Sequence, residues 1–230
     1  MEKGILKIFL FLSFIGFALF VIKLLFDKPP VIKSLFVIKE DLAQDSGYSS
    51  EYGPVLPFGT ILKGEGKETL SPTIEFYLKK EALVYSPIDG TITEIRYQPE
   101  DKDYYIWIKP RFWSDWLVEI DHLTALQVKK GEKVSAGQVL GKPGRWYPEY
   151  GVGRVELMII KEGRLDHYFC PSLFLAKEVK RDYDEFFSYA FKDSTRKEEL
   201  QKMNPLGCLF KELKDKTVII KNHQNLIVVN

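Results

Sequence analysis

Few residues in this 230-residue chain could perform chemistry. The histidines and cysteines are His122, His167, His223, Cys170 and Cys208. Two cysteines exclude a cluster of thiolate metal ligands, and the sequence contains neither a glycine-rich phosphate loop nor a Gly-x-Ser-x-Gly nucleophile motif. His167 and His223 have no ligand-like neighbours in the sequence. His122, which follows Asp121, is the remaining candidate, and its alternative role is a hydrogen bond to a turn.

Aromatic side chains supply a second kind of candidate site. Six of them lie close together, at Tyr104, Tyr105, Trp107, Phe112, Trp113 and Trp116, and three more follow at Trp146, Tyr147 and Tyr150. Rings with polar tips suit sugar or peptide surfaces, so Trp113 and Trp146 are candidate binding residues. The alternative is that these rings form the core and rim of a small barrel.

Composition limits the partners. Thirty-three basic residues against 32 acidic ones give a formal net charge of +1. A chain so evenly charged has no broad basic surface, which disfavours nucleic acid as a partner. Apolar residues make up 45% of the chain, enough for one well-filled core.

Residues 1–28 predict a membrane anchor. An uncharged stretch from Ile8 to Ile22 is flanked by Lys7 and Lys23. Twenty-three helical residues reach about 34 Å, enough to cross the hydrocarbon layer. The alternative is a cleaved secretory signal, but no small-x-small cleavage site follows the apolar run. Lysines on both sides of the run leave its orientation undetermined by charge.

The rest of the chain predicts three further segments. Residues 29–57 are expected to form a tether with a polar middle. Residues 58–165 contain short β-prone runs separated by glycine and proline, which predicts an all-β body. Residues 166–230 predict a helical cap and a terminal hairpin, with Ser194 or Thr195 and Glu198 forming a capping box. Cys170 and Cys208 enclose the helical part, either as a disulfide worth roughly 4 kcal/mol in an oxidising compartment or as two buried thiols.

Two phrases within the β body carry a family resemblance. The first, LVYSPIDGTITEI, begins at Leu83, and the second, HLTALQVKKGEKVSAGQVLG, begins at His122. Their turn residues and alternating aliphatic residues resemble the barrel-sandwich hybrid folds of biotinyl carriers, membrane-fusion adaptors and peptidoglycan endopeptidases. Because 32 residues separate Ile95 from Val128, and because Asp-His-Leu leads into the second phrase, the chain most resembles endopeptidases of the LytM/lysostaphin type, which have a duplicated hybrid motif.

This resemblance implies a zinc hydrolase site whose ligands are altered here. When the chain is placed on the family pattern, the first histidine and aspartate ligands fall on Ser71 and Glu75. The late His-x-His pair falls on Arg154 and Glu156. Of the histidines that the family uses, only His122 is kept, so the resemblance implies a degenerate site.

These replacements favour a groove without a catalytic metal. Serine is a poor zinc ligand, and two carboxylates with a neutral histidine would leave a dication without net charge, which weakens its effect on the pKa of bound water. Arg154 stays protonated and can supply the positive charge of a metal beside Glu75 or Glu156. We therefore expect no cofactor. The alternative is one divalent metal, zinc or manganese, bound by Glu75, His122 and Glu156, with His122 assisting catalysis.

Together these patterns predict a mainly β protein. Its expected architecture is a barrel-sandwich hybrid (duplicated hybrid motif) with an N-terminal transmembrane helix and a C-terminal helical cap. By analogy with the family, the body is expected on the extracytoplasmic side of the cell membrane. There it would act as a non-catalytic, regulatory module that binds peptidoglycan or an envelope protein. The alternatives are a metal-dependent peptidoglycan endopeptidase and a membrane-fusion adaptor of a transport system.

Overall fold

The computed structural model describes residues 2–44, 51–64, 67–203, 205–214, 218–220 and 226–228. The α-helices are α1 (Glu2–Phe26), α2 (Lys180–Ala190) and α3 (Lys197–Lys202). The strands are β1 (Val55–Leu56), β2 (Ile61–Gly64), β3 (Lys67–Leu70), β4 (Ile74–Lys79), β5 (Val84–Tyr85), β6 (Gly90–Gln98), β7 (Asp103–Lys109), β8 (Trp116–Thr124), β9 (Lys133–Val134), β10 (Val139–Tyr147), β11 (Val152–Lys161), β12 (His167–Phe169), β13 (Glu212–Lys214), β14 (Val218–Ile220) and β15 (Leu226–Val228). Short 3-10 helices lie at Lys39–Asp41, Pro148–Tyr150 and Pro171–Phe174.

One large antiparallel sheet dominates the protein. Among the residues that the structure describes, it has eleven strands, with the main order β1-β4-β11-β10-β8-β7-β6-β9 and with β12, β13 and β5 attached at its sides. Strand β11 is central: it pairs with β4, β8, β10 and β12. The prediction of a mainly β body is therefore confirmed.

Period-two alternation explains strands such as β7. In β7, Ile106 and Ile108 are fully buried, whereas Tyr105 and Trp107, which alternate with them, are partly exposed. Successive strand residues point to opposite faces, so this alternation places one face on the core. Strand β4 differs, because its first five residues are all buried, as expected for a strand covered on both faces.

Part of the predicted tether supplies one of those covers. Ile32, Phe36, Val37 and Leu42 are all buried, and the Phe36 ring packs edge-on against Phe76 of β4 at 5.5 Å. The Ile32 amide also donates to the Phe174 carbonyl. Residues 32–43 are therefore packed onto the sheet and are not a free linker, because their apolar side chains gain more by burial than a flexible arm gains in entropy.

The C-terminal segment contains the predicted elements with two differences. Strands β14 and β15 pair as the expected hairpin, and α2 buries Tyr183, Phe186, Phe187 and Ala190. However, Leu173 to Val179 form a 3-10 turn and extended chain instead of helix.

The predicted capping box of α3 is also wrong. The first turn of α3 has no side-chain cap, because the hydroxyls of Ser194 and Thr195 both donate to the Glu51 carbonyl. A tertiary contact thus replaces the local one.

Two further predictions concern the cysteines and the N-terminus. Cys170 and Cys208 form a disulfide, with their Cα atoms 5.9 Å apart. Of the helices whose side chains the structure describes, none is both long enough and apolar enough to cross a membrane. The membrane anchor stays a prediction from the sequence.

Candidate functional site

Strand register brings three carboxylates together at the centre of the sheet. Glu156 of β11 lies directly opposite Glu75 of β4 and also opposite Asp121 of β8. Side chains at directly opposed positions share one face of the sheet and lie within about 5.5 Å at their Cβ atoms. Three acidic side chains in one row repel one another, so this row needs a cation.

A β-bulge adds the histidine to this row. His122 follows Asp121 directly, and in a regular strand the two side chains would point to opposite faces. The backbone of His122 instead has a φ of 59°, and the register between β7 and β8 shifts by one residue nearby. The bulge turns the ring toward the carboxylates, so that Nε2 lies 3.4 Å from Glu156 Oε1.

Buried partners hold the His122 ring in place. Its Nδ1 lies 2.7 Å from Oδ2 of Asp103, which is 1% exposed. The Gln98 amide bridges Asp103 and Asp121, donating to one oxygen of each. A Cβ at Gly144 would lie 2.7 Å from Asp103 Oδ2. Glycine at this position therefore leaves the room that the Asp103–His122 pair needs.

Arg154 supplies the cation. Its Nη2 lies 2.5 Å from His122 Nε2, its Nη1 lies 3.8 Å from Glu75 Oε2 and its Nε lies 3.6 Å from Glu156 Oε1. The guanidinium carbon lies 3.8 Å above the centre of the Trp146 ring, a cation–π distance. The ion pair expected between Arg154 and the glutamates is thus present, and it occupies the middle of the site.

Protonation follows from burial and from this crowding of charge. Burial and the neighbouring Glu156 raise the pKa of Glu75 to about 7, although Arg154 opposes them. Burial also raises the pKa of Asp121. For His122, burial lowers the pKa, but its hydrogen bonds to Asp103 and Glu156 outweigh that effect and raise the pKa to about 10.

The two contacts of His122 Nε2 correspond to two protonation states. The guanidinium of Arg154 only donates hydrogen bonds, so its 2.5 Å contact with Nε2 requires a neutral imidazole. An imidazolium would instead donate to Glu156. Since three carboxylates surround the ring and only one guanidinium opposes them, the imidazolium is the favoured form at neutral pH.

The residues do not fit the metal site considered from the sequence. Among the described residues, Asp121, His122 and Glu156 could offer ligand atoms within 4.8 Å of one another, as could Asp101, Asp103 and His122. Glu75 belongs to neither group, because its carboxylate faces the Tyr77 hydroxyl and Arg154. The first group contacts the guanidinium of Arg154, which would lie beside any dication held there and repel it.

The structure also gives the positions of the other three candidate binding residues, Ser71, Trp146 and Trp113. Ser71 precedes β4, so it does not share a strand face with Glu75; its buried hydroxyl donates to the Thr73 carbonyl. The expectation that Ser71 and Glu75 point to the same face of one strand is therefore wrong. Trp146 does line the site, beneath Arg154.

Trp113 is not part of this site. It lies in the turn before β8, beside Arg111. His122 lies six positions after Trp116 along β8, which corresponds to roughly 20 Å of extended chain. Trp113 and Trp146 therefore cannot form one binding surface.

Sequence reasoning missed Asp103, Asp121 and Gln98. Asp121 directly precedes His122, but the alternation rule assigns adjacent residues to opposite faces. Asp103 opens a strand after a turn, where an acidic residue is ordinary. The only local signal was an acidic residue at the start of an aromatic, β-prone run.

Comparison with known proteins gives structural matches only: no protein-family model and no curated protein matches this chain. A chain of the SpoIIQ–SpoIIIAH pore forming complex is 18% identical, with 68% of this chain and 98% of that chain covered and a TM-score of 0.46. Peptidase domains are also among the matches. Lysostaphin from Staphylococcus simulans is 16% identical over 55% of this chain and 48% of its own, with a TM-score of 0.37.

A second peptidase gives a similar result. A zinc-containing peptidase from Vibrio cholerae is 21% identical over 55% of this chain and 37% of its own, with a TM-score of 0.38. The chain therefore spans half or less of these two peptidases. Lysostaphin, the type of peptidase that the two sequence phrases resemble, is thus among the structures that this chain is similar to.

Proposed function

We propose that this protein is a membrane-anchored module of the cell envelope whose LytM-like domain, a duplicated hybrid motif, binds without catalysing. The ligand would be peptidoglycan or an envelope protein, held at the groove around His122 and Trp146. The observation that carries the proposal is the position of Arg154, whose guanidinium lies 3.8 Å from Glu75 and 3.6 Å from Glu156.

Arg154 supports binding instead of hydrolysis for a chemical reason. A hydrolytic metal site needs an open position where the metal acidifies a water molecule. A guanidinium supplies positive charge but has no such position, and it cannot act as a general base because it stays protonated. The remaining groups, which are a tryptophan ring and several carboxylates, suit contacts with a sugar or a peptide amine.

The location of the body is part of this proposal. The apolar run of residues 4–26 supports an anchor, and the disulfide between Cys170 and Cys208 supports an oxidising compartment. Both agree with a body on the extracytoplasmic side. One of the structural matches is a chain of the SpoIIQ–SpoIIIAH complex, which contains two proteins. For this chain, a protein partner in the envelope is the corresponding part of the proposal.

The test uses the full chain mixed with isolated peptidoglycan sacculi. We expect the wild-type protein to sediment with the sacculi and to release no soluble fragments, with or without added Zn²⁺ or Mn²⁺. An Arg154→Met variant should lose most of this retention. Arg181→Met, which removes the same charge from an exposed position of α2, is the matched control and should behave like wild type.

Two results would overturn parts of the proposal. Fragment release by the wild-type protein that stops when a chelator is added would establish the altered metal site instead. Absence of retention in every variant would exclude peptidoglycan as the ligand, and the envelope protein would then be the occupant to identify by cross-linking.

A further inference from the structure

The turn between β7 and β8 exposes apolar surface at its tip. Residues 110–115 read PRFWSD. Phe112 is 79% exposed, more than the other large apolar side chains that the structure describes. Trp113 is partly exposed, and the exposed Arg111 guanidinium lies 5.5 Å from its ring. Two aromatic rings and a cation thus stand together on a six-residue turn.

Polar contacts join this turn to the end of α1. Arg111 Nη1 donates to the Phe26 carbonyl at 2.7 Å, which satisfies one of the free carbonyls of the helix C-terminus. The Asp27 carboxylate accepts from the Ser114 hydroxyl at 2.5 Å and from the Asp115 amide at 3.0 Å.

A fourth contact completes this connection. Lys23 in the last turn of α1 forms an ion pair with Asp115 at 2.6 Å. Because these contacts come from both sides of the turn, Phe112 and Trp113 are held at the position where the chain leaves the helix.

The helix presents apolar surface beside this turn. Its exposed large apolar side chains include Phe11, Phe14, Phe17, Phe20, Leu25 and Phe26, each more than half exposed. Phe112 and Trp113 lie on the turn that contacts the C-terminal end of this helix. Lys28, two residues after the end of α1, is also exposed and adds a second cation to this region of the chain.

This combination matches the chemistry of a lipid surface. Aromatic rings prefer the boundary between headgroups and acyl chains, and basic side chains beside them attract anionic headgroups. A protein partner would more often be matched by a core of apolar side chains with few charges. The rings here instead sit beside cations, at the end of an apolar helix.

We propose that residues 110–115 lie in the interfacial layer of the membrane that α1 enters, with Phe112 and Trp113 at the acyl boundary and Arg111 at lipid phosphates. This rests on the membrane anchor of the proposed function. It adds a second attachment point, which fixes the orientation of the body. Because β8 runs from this turn to His122, the groove would face away from the bilayer, roughly 20 Å above it.

The experiment uses the full chain in vesicles of phosphatidylethanolamine and phosphatidylglycerol whose acyl chains carry bromine, which quenches tryptophan fluorescence on contact. We expect quenching in the wild-type protein and loss of most of it in Trp113→Phe. Trp107→Phe is the matched control, because Trp107 lies on β7 and donates to Glu119; it should keep the quenching. Phe112→Ser should weaken the quenching of Trp113.

The outcomes separate this inference from the anchor itself. If the protein floats with the vesicles but Trp113→Phe is quenched as strongly as wild type, the turn lies outside the membrane and the inference is wrong while the anchor stands. If the full chain does not float with the vesicles, the anchor and the inference both fail. Quenching that depends on Trp113 supports both.

Discussion

At the scale of single residues, Arg154 determines what the site can do. Without it, Glu75, Asp121 and Glu156 would form a row of buried carboxylates beside a histidine, an arrangement suited to a cation. With it, the positive charge is built into the chain, and Trp146 covers the guanidinium from one side. One side chain thus separates the observed arrangement, in which an arginine neutralises the carboxylates, from a cluster of acidic and histidine donors that could hold a metal ion.

The pKa of Glu75 offers a way to measure this balance between the carboxylates and Arg154. This pKa is about 7 in the folded protein, against 4.5 for an ordinary glutamate. The folded state therefore holds a proton that the unfolded state releases between these values, so the stability of the protein falls as pH rises from about 4.5 to about 7. Above pH 7, Glu75 is charged in both the folded and the unfolded state, and the free energy of unfolding stays lower by the full cost of burying this charge.

We expect Glu75→Gln to remove this pH dependence. The variant should match wild type near pH 4 and exceed its free energy of unfolding at pH 8 by on the order of 3 kcal/mol. Urea unfolding at several pH values measures this. Glu100→Gln, at an exposed turn position, controls for the loss of one carboxylate; equal pH profiles for Glu75→Gln and wild type would contradict the assignment.

At the scale of elements, the bulge in β8 assembles the site. A positive φ at a residue with a side chain is costly and persists where surrounding structure enforces it. Here the positive φ allows two adjacent residues, Asp121 and His122, to lie on the same side of the sheet beside Glu156. Gly144 on the neighbouring strand leaves space for the pair that orients the ring.

The backbone of the bulge can be tested with two substitutions that both remove the imidazole. Asparagine tolerates the left-handed region, whereas valine does not. We expect His122→Val to be less stable than His122→Asn by about 1–2 kcal/mol in chemical denaturation. At Thr91, in β6, the order should reverse, because valine is the better strand former. The same order at both positions would argue against a strained bulge.

At the scale of the whole molecule, distant segments stabilise the sheet from outside. Residues 32–43 cover β4 together with α2, where the Phe186 ring lies 6.0 Å from that of Phe76. The disulfide joins Cys170, just after β12, to Cys208, which pairs with Phe58 near the start of the β body. The N-terminal arm and the C-terminal cap therefore belong to the same folded unit as the β body.

Removing the disulfide should cost substantial stability. The bond spans 38 residues, for which the chain-entropy model gives about 4 kcal/mol. We expect a Cys170→Ser, Cys208→Ser double variant to lower Tm by roughly 10 °C. Wild-type protein in reductant should show a similar loss. An unchanged Tm in both cases would contradict a stabilising disulfide.

Local patterns in the sequence determined the strands and the altered chemistry of the site. Alternating residues such as those of β7 predict a strand because burial on one face depends only on period two. The same holds for the apolar face of α2. The family resemblance also pointed to Glu75, His122, Arg154 and Glu156, which do lie together.

Only the tertiary structure decided which groups complete the site. Asp103 and Asp121 join it through strand register and a bulge, and Ser71 does not share a strand face with Glu75 because β4 begins three residues later. Register and bulges depend on contacts between residues far apart in the chain, which no local pattern encodes. For the same reason, the sequence did not predict that residues 32–43 are packed, because the strand that buries them, β4, is distant in the chain.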